Sequence, residues 1–292
     1  MVRAERYLVG LIGAGIAGSL TPLLHEREAD RLGVRYLYQL MDLHDLGLRP
    51  EAIGDLISQA QRLGFTGLNV THPCKQLAVG HLDELSPDAQ VLGAVNTIVF
   101  RDGRRIGHNT DWSGFAASMT RGLPDARMSD VVLLGAGGAG TAVGYALLKK
   151  GAQRLTIVDV ADGRAERLRD VLSAAAAPGQ VVVAARPAGL GARLADADGL
   201  VNATAVGMTP DTRTPVPAEL LHPKLWVTDI VYRPLQTPLL ADARAVGCRT
   251  LDGSGMTVYQ AVDALRLFTG RDPDAERMLQ HMQRLIGGRS DD

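Results

Sequence analysis

Val131-Val-Leu-Leu-Gly135-Ala-Gly-Gly-Ala-Gly140-Thr-Ala-Val-Gly-Tyr-Ala-Leu-Leu-Lys-Lys150 is the stretch that decides the architecture. A short apolar run leads into clustered glycines. An unbroken helical pattern follows and stops at Gly151, a residue suited to the helix C′ position. Strand, GxGxxG and helix together form the arrangement that holds a dinucleotide. The first glycine makes the turn, the second lets backbone approach the pyrophosphate, and the third lets helix pack on sheet. Such a site also needs an acid at the end of the next strand, and Asp159 closes Leu155-Thr-Ile-Val-Asp159. A carboxylate there accepts from the adenosine ribose hydroxyls and repels a 2′-phosphate, which favours NAD over NADP. Val131 to Leu148 is also uncharged and close to transmembrane length, but its glycines at 135, 137, 138, 140 and 144 read as strand, turn and helix.

A second match stands near the N-terminus: Gly13-Ala-Gly15-Ile-Ala-Gly18, with Asp42 as the later acid. Pyrophosphate binding requires the helix to begin at the glycines, so that its N–H groups and dipole face the phosphates. After Gly18 the chain reads Ser-Leu-Thr-Pro. Pro22 fits best at N1 with Thr21 as the cap, and a helix begun at Gly15 would carry Pro22 in its interior at about 3 kcal/mol. The dinucleotide is therefore assigned to Gly135–Gly140. The Gly13–Gly18 loop is read either as a plain tight turn or as a small-ligand loop offering the hydroxyls of Ser19 and Thr21.

Working outward, short β-branched runs alternate with helical spacing. Strands are expected at Tyr7–Ile12, Tyr36–Met41, Gly67–Val70 and Thr97–Phe100, with helices at Pro22–Leu32 and Pro50–Leu63. This βαβα order predicts a parallel sheet flanked by helices. A second α/β unit follows, with strands at Val131–Leu134, Leu155–Val160, Val181–Ala185, Leu200–Ala203, Val227–Val231 and Thr250–Leu251. Helices at Gly138–Lys150, Arg164–Ala176 and Pro238–Ala245 separate several of them. Helices at Val258–Phe268 and Asp274–Ile286 end the chain with no strand after them, as a pair that packs back on the first domain would. The fold expected is α/β with two domains: an N-terminal α/β substrate-binding domain of residues 1–112 plus 257–292, and a Rossmann-type dinucleotide-binding domain of residues 113–256. The polar, Gly- and Pro-containing stretch Thr120–Ser129 reads as linker.

Composition narrows the function. The 292 residues carry 31 Lys+Arg against 32 Asp+Glu, a net charge of −1 that gives no reason to expect nucleic acid or an anionic membrane as partner. The 33 glycines cluster rather than repeat, which excludes collagen-like and low-complexity classes. Only Cys74 and Cys248 occur, so no disulfide framework is expected, and the scattered His residues offer no metal spacing. Arg3 and Arg6 precede an apolar segment as in a signal peptide, but Gly10, Gly13, Gly15 and Gly18 interrupt it and no AxA-like site follows. A cytoplasmic protein, monomer or homodimer, with a small-molecule substrate is the reading.

Hydride transfer to a dinucleotide needs a group that moves the hydroxyl proton. Thr71-His-Pro-Cys-Lys75 follows one strand, Gly93-Ala-Val-Asn96-Thr offers an amide, and Gly107-His-Asn-Thr-Asp111 follows another run. Residue type favours His72, which titrates near neutrality. Spacing does not rank His72, Lys75 and Asp111, and each has an ordinary alternative: a loop hydrogen-bonder, a surface lysine, and an N-cap for Trp112 onward.

Those strings resemble the shikimate dehydrogenase family. Asn69-Val-Thr-His-Pro-Cys-Lys75, Gly93-Ala-Val-Asn96-Thr, Gly107-His-Asn-Thr-Asp111-Trp-Ser-Gly-Phe, Gly135–Gly140, Asn202-Ala-Thr204 and Asp252-Gly…Gln260-Ala-Val-Asp stand in family order across about residues 7–270. The resemblance implies an oxidoreductase that converts a ring 3-hydroxyl of shikimate or quinate to the 3-dehydro ketone. It replaces His72 with Lys75 and Asp111 as the catalytic pair. A lysine suits the task physically, since partial desolvation lowers its pKa towards that of a proton relay. By the same resemblance Ser19, Thr21 and Tyr232 meet the substrate carboxylate, and Thr71, Asn96 and Gln260 hold the ring hydroxyls. The cofactor falls to Gly135, Ala136, Gly137, Gly138, Ala139, Gly140, Asp159, Thr204 and Gly253.

Two departures point towards the NAD-using quinate/shikimate branch. The biosynthetic branch carries Asn-Arg-Thr after the second cofactor strand, where this chain has Asp159-Val160-Ala161, and Ser-x-Ser where it has Ser19-Leu-Thr21. NADP remains possible because Arg164 stands close enough in sequence to reach a phosphate. An NADP-dependent biosynthetic enzyme, an aminoshikimate dehydrogenase and a non-enzymatic dinucleotide sensor are the alternatives. The sensor reading would expect Lys75 or Asp111 to be lost, and both are present.

Overall fold

Two six-stranded sheets form in the computed structural model, which describes residues 5–287. Arg3 and the outermost ends of the expected first domain lie outside the described residues. One compact unit runs through Thr110 and resumes at Val258, and the other is Asp111–Thr257. The division thus falls upstream of the polar Thr120–Ser129 stretch, because Asp111–Gly122 is a helix that packs within the second unit.

The first unit contains β1 (Arg6–Gly13), α1 (Thr21–Arg31), β2 (Arg35–Asp42), α2 (Ile53–Arg62), β3 (Gly67–Val70), β4 (Glu84–Leu85), α3 (Pro87–Leu92), β5 (Thr97–Arg101) and β6 (Arg104–His108). Its sheet order is β2-β1-β3-β5-β6-β4. The expected parallel core is β2-β1-β3. β5 joins β3 antiparallel, and a two-residue turn at Asp102 and Gly103, both with positive φ, returns the chain as β6. A loop that short permits only an antiparallel hairpin, and positive φ at both positions is its preferred geometry. Ile12, Leu68, Val70 and Ile98 bury against Ile53, Ile57 and Ala60 of α2 on one face. Val9, Leu11 and Val99 pack on Tyr38, Ala264 and Phe268 on the other. Covering both faces is why β1 reads as a continuous apolar run.

α1 differs from expectation at its start. Thr21 is the first helical residue, not the cap, and Leu20 at the N-cap makes no side-chain bond. Ser19 takes over instead, its Oγ accepting from Thr21 N at 3.3 Å.

The second unit comprises α4 (Asp111–Gly122), β7 (Asp130–Leu134), α5 (Gly138–Lys149), β8 (Arg154–Val158), α6 (Arg164–Ala175), β9 (Val181–Ala185), α7 (Leu190–Leu194), β10 (Gly199–Asn202), β11 (Trp226–Asp229), α8 (Pro238–Val246) and β12 (Arg249–Leu251). Every strand pair is parallel, in the order β12-β11-β10-β7-β8-β9. Numbered from β7, this is the doubly wound order 3-2-1-4-5-6, whose switch point lies beside the first strand. β7 ends at that point, and the second glycine loop follows it. α9 (Ser254–Thr269) leads from this unit into the first, where α10 (Ala275–Ile286) ends the described chain. No helix among the described residues is long and apolar enough to cross a membrane.

Candidate active site

In the first unit, the loops after β1 and β3 are fastened to each other. Ala14 N donates to the His72 carbonyl at 3.0 Å, and Thr71 N to the Ile12 carbonyl at 2.9 Å. A Cβ on Gly13 would lie 2.3 Å from Thr71 Cγ2 and 3.0 Å from the His72 oxygen. Gly13 is therefore needed for the approach of its own neighbour, the Thr71–Lys75 turn. Cys74 is fully buried in the core, with half-buried Lys75 beside it and His72 exposed. The Lys75 carbonyl accepts from Val95 N at 3.0 Å, which ties this turn to the segment carrying Asn96.

Asn96 is 3% exposed and its amide is held on several sides. Its Oδ1 accepts from Thr110 N at 2.7 Å, and its Nδ2 donates to Thr110 Oγ1 at 2.9 Å and lies 3.5 Å from Gln260 Oε1. Thr110 Oγ1 in turn donates to the Gln260 carbonyl at 3.1 Å. Behind Asn96, Asn69 Nδ2 donates to the Asn96 carbonyl and to Thr97 Oγ1, and its Oδ1 accepts from the buried Tyr38 hydroxyl at 2.7 Å. Asn69, Thr110 and Tyr38 were not among the residues singled out from sequence. Asn69 and Thr110 lie inside the quoted strings, whereas nothing in the spacing marks Tyr38. Asp111 follows Thr110 directly as the first residue of α4 and is buried.

Each glycine loop is met by the acid that follows the next strand. Asp42 ends β2 and turns onto the first loop, accepting from Gly15 N at 2.9 Å, Ile16 N at 2.6 Å and His44 N at 3.0 Å. Burial opposes its charge, but these three backbone donors outweigh that and hold the carboxyl below its ordinary value. Two amides of this loop, those of Gly15 and Ile16, are thereby taken by an internal carboxylate.

In the second loop, α5 begins at Gly138 with Gly137 as N-cap and no side chain capping it. The space beside Gly137 and Gly138 is open, and both are exposed. A helix start of this kind presents N–H groups and a positive dipole end to an anion. Gly140 packs so tightly on the loop that a Cβ would lie 2.0 Å from the Gly135 carbonyl oxygen. Asp159 lies one residue past β8, which stops at Val158 rather than at Val160. Its Oδ2 accepts from Ala136 N at 2.7 Å and its Oδ1 from Ala161 N at 2.8 Å, so the carboxylate shapes this loop. Val160 is 90% exposed. Arg164 is exposed at the start of α6 and forms no salt bridge among the described residues. Thr204 is half-buried after β10, and Gly253 is buried just before α9. Tyr232, half-buried, follows β11.

One α/β unit with clustered amide, hydroxyl and lysine groups, and a second whose glycine loop opens into a helix at a doubly wound switch point, fit a dinucleotide-dependent dehydrogenase. Residues 11–98 match the family described as the shikimate dehydrogenase substrate binding domain, and residues 253–283 the shikimate 5′-dehydrogenase C-terminal domain. Over 283 residues the chain is 59% identical to shikimate dehydrogenase (NADP(+)) of Streptomyces avermitilis, covering 97% of each. It is 47% identical over 275 residues to quinate/shikimate dehydrogenase (NAD(+)) of Corynebacterium efficiens, covering 94% of this chain and 96% of the other. The solved quinate dehydrogenase from Corynebacterium glutamicum in complex with NAD superposes with a TM-score of 0.91 at 44% identity, covering 96% and 99% of the two chains. The chain belongs to the shikimate dehydrogenase family.

Proposed function

We propose that this oxidoreductase reversibly oxidises the ring 3-hydroxyl of shikimate, quinate or both to the 3-dehydro ketone, with NAD favoured over NADP. The observation that supports the reading is where each helix begins: α5 starts at Gly138, inside the second glycine loop, whereas α1 starts only at Thr21, beyond the last glycine of the first. The bound nicotinamide supplies the hydride acceptor. Lys75 Nζ receives the hydroxyl proton as the ring carbon loses hydride, and the Asp111 carboxylate orients that hydroxyl and the lysine. Ser19 and Thr21 donate hydroxyls to the substrate carboxylate, with Tyr232 beside it. Thr71, Asn96 and Gln260 bind the ring hydroxyls, and the bonds to Thr110 and Gln260 fix the Asn96 amide before substrate arrives.

Cofactor choice rests on Asp159-Val160-Ala161, which supplies a carboxylate and no cation to the ribose edge. Discrimination of about 2–4 kcal/mol, roughly 30- to 1000-fold in kcat/KM, is expected from lost hydrogen bonds plus repulsion of a phosphate. NADP is the second reading, favoured by Arg164 without an ion-pair partner among the described residues and by the Streptomyces relative's name. Initial rates with shikimate and quinate, each with NAD and NADP, test both. No turnover with either acid rejects the proposed reaction, and equal or greater kcat/KM with NADP rejects the cofactor preference. The triple change Asp159→Asn, Val160→Arg, Ala161→Thr should narrow or reverse the preference.

A further inference from the structure

Behind the second glycine loop lies a fully buried polar pair that the proposed reaction does not use. Asp229, the last residue of β11, and Asn202, the last of β10, are both 0% exposed and sit opposite each other in the sheet register. Asn202 Nδ2 donates to Asp229 Oδ1 at 3.0 Å and to the Val206 carbonyl at 3.2 Å. Its Oδ1 accepts from Thr204 N at 3.1 Å and Thr204 Oγ1 at 2.6 Å. Both donor hydrogens and both acceptor lone pairs of the amide are thereby in use. An acceptor-only carboxylate opposite it dictates which way the amide faces.

Each partner secures a different piece of backbone. Asn202 folds residues 203–206 into a tight loop, and that loop lies directly on the dinucleotide turn. A Cβ on Gly135 would meet the Ala203 carbonyl oxygen at 2.8 Å and Thr204 Cγ2 at 2.9 Å. Asp229 Oδ1 also accepts from Val231 N at 3.0 Å, which fixes the Ile230–Val231 peptide. That peptide lies against Gly253, where a Cβ would sit 2.1 Å from the Ile230 oxygen. The second carboxylate oxygen accepts from Thr237 Oγ1 at 2.7 Å, and Thr237 caps α8 through Leu240 N.

We infer that Asp229, acting through Asn202 and Val231 N, is a positioning residue that sets cofactor affinity by holding the 203–206 loop on Gly135 and the 230–231 peptide on Gly253. It touches no cofactor atom itself. The inference rests on the dinucleotide reading of this unit and is independent of which ring acid is oxidised. Two tightly packed backbone walls, each secured by one residue of a buried pair, leave the loops little freedom of their own. Losing the pair releases both at once.

The test is direct dinucleotide binding by purified full-length protein, titrated with NADH and NADPH by fluorescence, with thermal melting alongside. Asp229→Leu should weaken both dinucleotides about tenfold or more, as expected for several lost buried hydrogen bonds. KM for the ring acid is read in Asn202→Ala, which leaves the bond from Val231 N to Asp229 beside Tyr232 in place, and should stay near wild type. Asp229→Asn keeps an oxygen to accept from Asn202 and Val231 N, and its amide NH2 can donate to Thr237 Oγ1, so it should retain affinity. Thr237→Val removes the α8 cap without touching Asn202, and should lower the melting temperature while sparing affinity. If Asp229→Leu does not fold, Asn202→Ala carries the same expectation. A folded Asp229→Leu or Asn202→Ala with wild-type affinity overturns the inference. So does loss of affinity in Thr237→Val that matches its loss of stability. Failure of the proposed reaction would appear separately, as absence of turnover in wild-type protein that still binds NADH.

Discussion

Adding one methyl group to each glycine loop should produce opposite defects. A Cβ on Gly140 would sit 2.0 Å from the Gly135 carbonyl oxygen and 2.9 Å from its carbon. Ordinary contact begins near 3.4 Å. The obstructing atoms are backbone, so the first turn of α5 must move by roughly an ångström, at about 1–3 kcal/mol for overpacking. That displacement falls on the N–H groups assigned to the pyrophosphate, so Gly140→Ala should raise the NADH dissociation constant about 5- to 150-fold. Gly13→Ala meets Thr71 Cγ2 at 2.3 Å and the His72 oxygen at 3.0 Å. The nearer atom is a methyl that can rotate, so the cost is smaller, about 1–2 kcal/mol, and it lands on the substrate side. KM for shikimate should rise about 5- to 30-fold with NADH binding unchanged. Fluorescence titration of NADH without substrate and steady-state KM measure the two effects. Weak NADH binding in Gly13→Ala with normal binding in Gly140→Ala would refute the assignment of the loops.

Lys75→Ala should lower kcat by roughly 10²- to 10⁴-fold with a smaller change in KM; Asp111→Asn should do similar harm, and the double variant should be little worse than either, while near wild-type kcat in Lys75→Ala together with its loss in His72→Ala would return the role to His72. Replacing Ser19 and Thr21 with Ala removes two donors to a carboxylate, so KM should rise at least about tenfold while NAD affinity barely moves. His25, buried with its Nδ1 3.0 Å from the Tyr36 hydroxyl, has its pKa pushed down by burial from 6.5 to about 3. The unfolded chain therefore takes up this proton before the folded one does. Stability is intact above pH 6.5 and should fall by about 4 kcal/mol as pH drops towards 3. Denaturant titrations of His25→Phe should lose that slope, and an unchanged slope would assign acid sensitivity elsewhere.

Much of the second unit was legible because its parallel strands are buried on both faces and its glycine loop opens straight into a helix. The end of α5 at Lys149 and the start of β7 at Asp130 fall within a residue of the sequence pattern. The first unit was less transparent. Its antiparallel β5–β6 hairpin turns on Asp102-Gly103, a two-residue signal too short to show in hydrophobic periodicity. α3 is a single six-residue helix with too few residues to reveal a period. Asp42 is the instructive case. Spacing counts it as the acid of a second dinucleotide fingerprint, and its carboxylate turns onto the amides of its loop as Asp159 turns onto Ala136 N; what separates the loops is the helix start, at Thr21 against Gly138. Which way a side chain turns at a strand end is a tertiary fact. The same holds for the Asn69–Asn96–Thr110 network and the Asn202–Asp229 pair, whose members stand far apart in sequence and meet only when the strands align.

Shikimate carrying deuterium at C3, mixed with the purified protein and NAD, tests the central claim most directly. Mass spectrometry of the reduced cofactor should show one deuterium transferred from the ring carbon, with 3-dehydroshikimate formed in equal amount. Reduced cofactor without deuterium, or no reduction with either shikimate or quinate under NAD or NADP, would contradict the account.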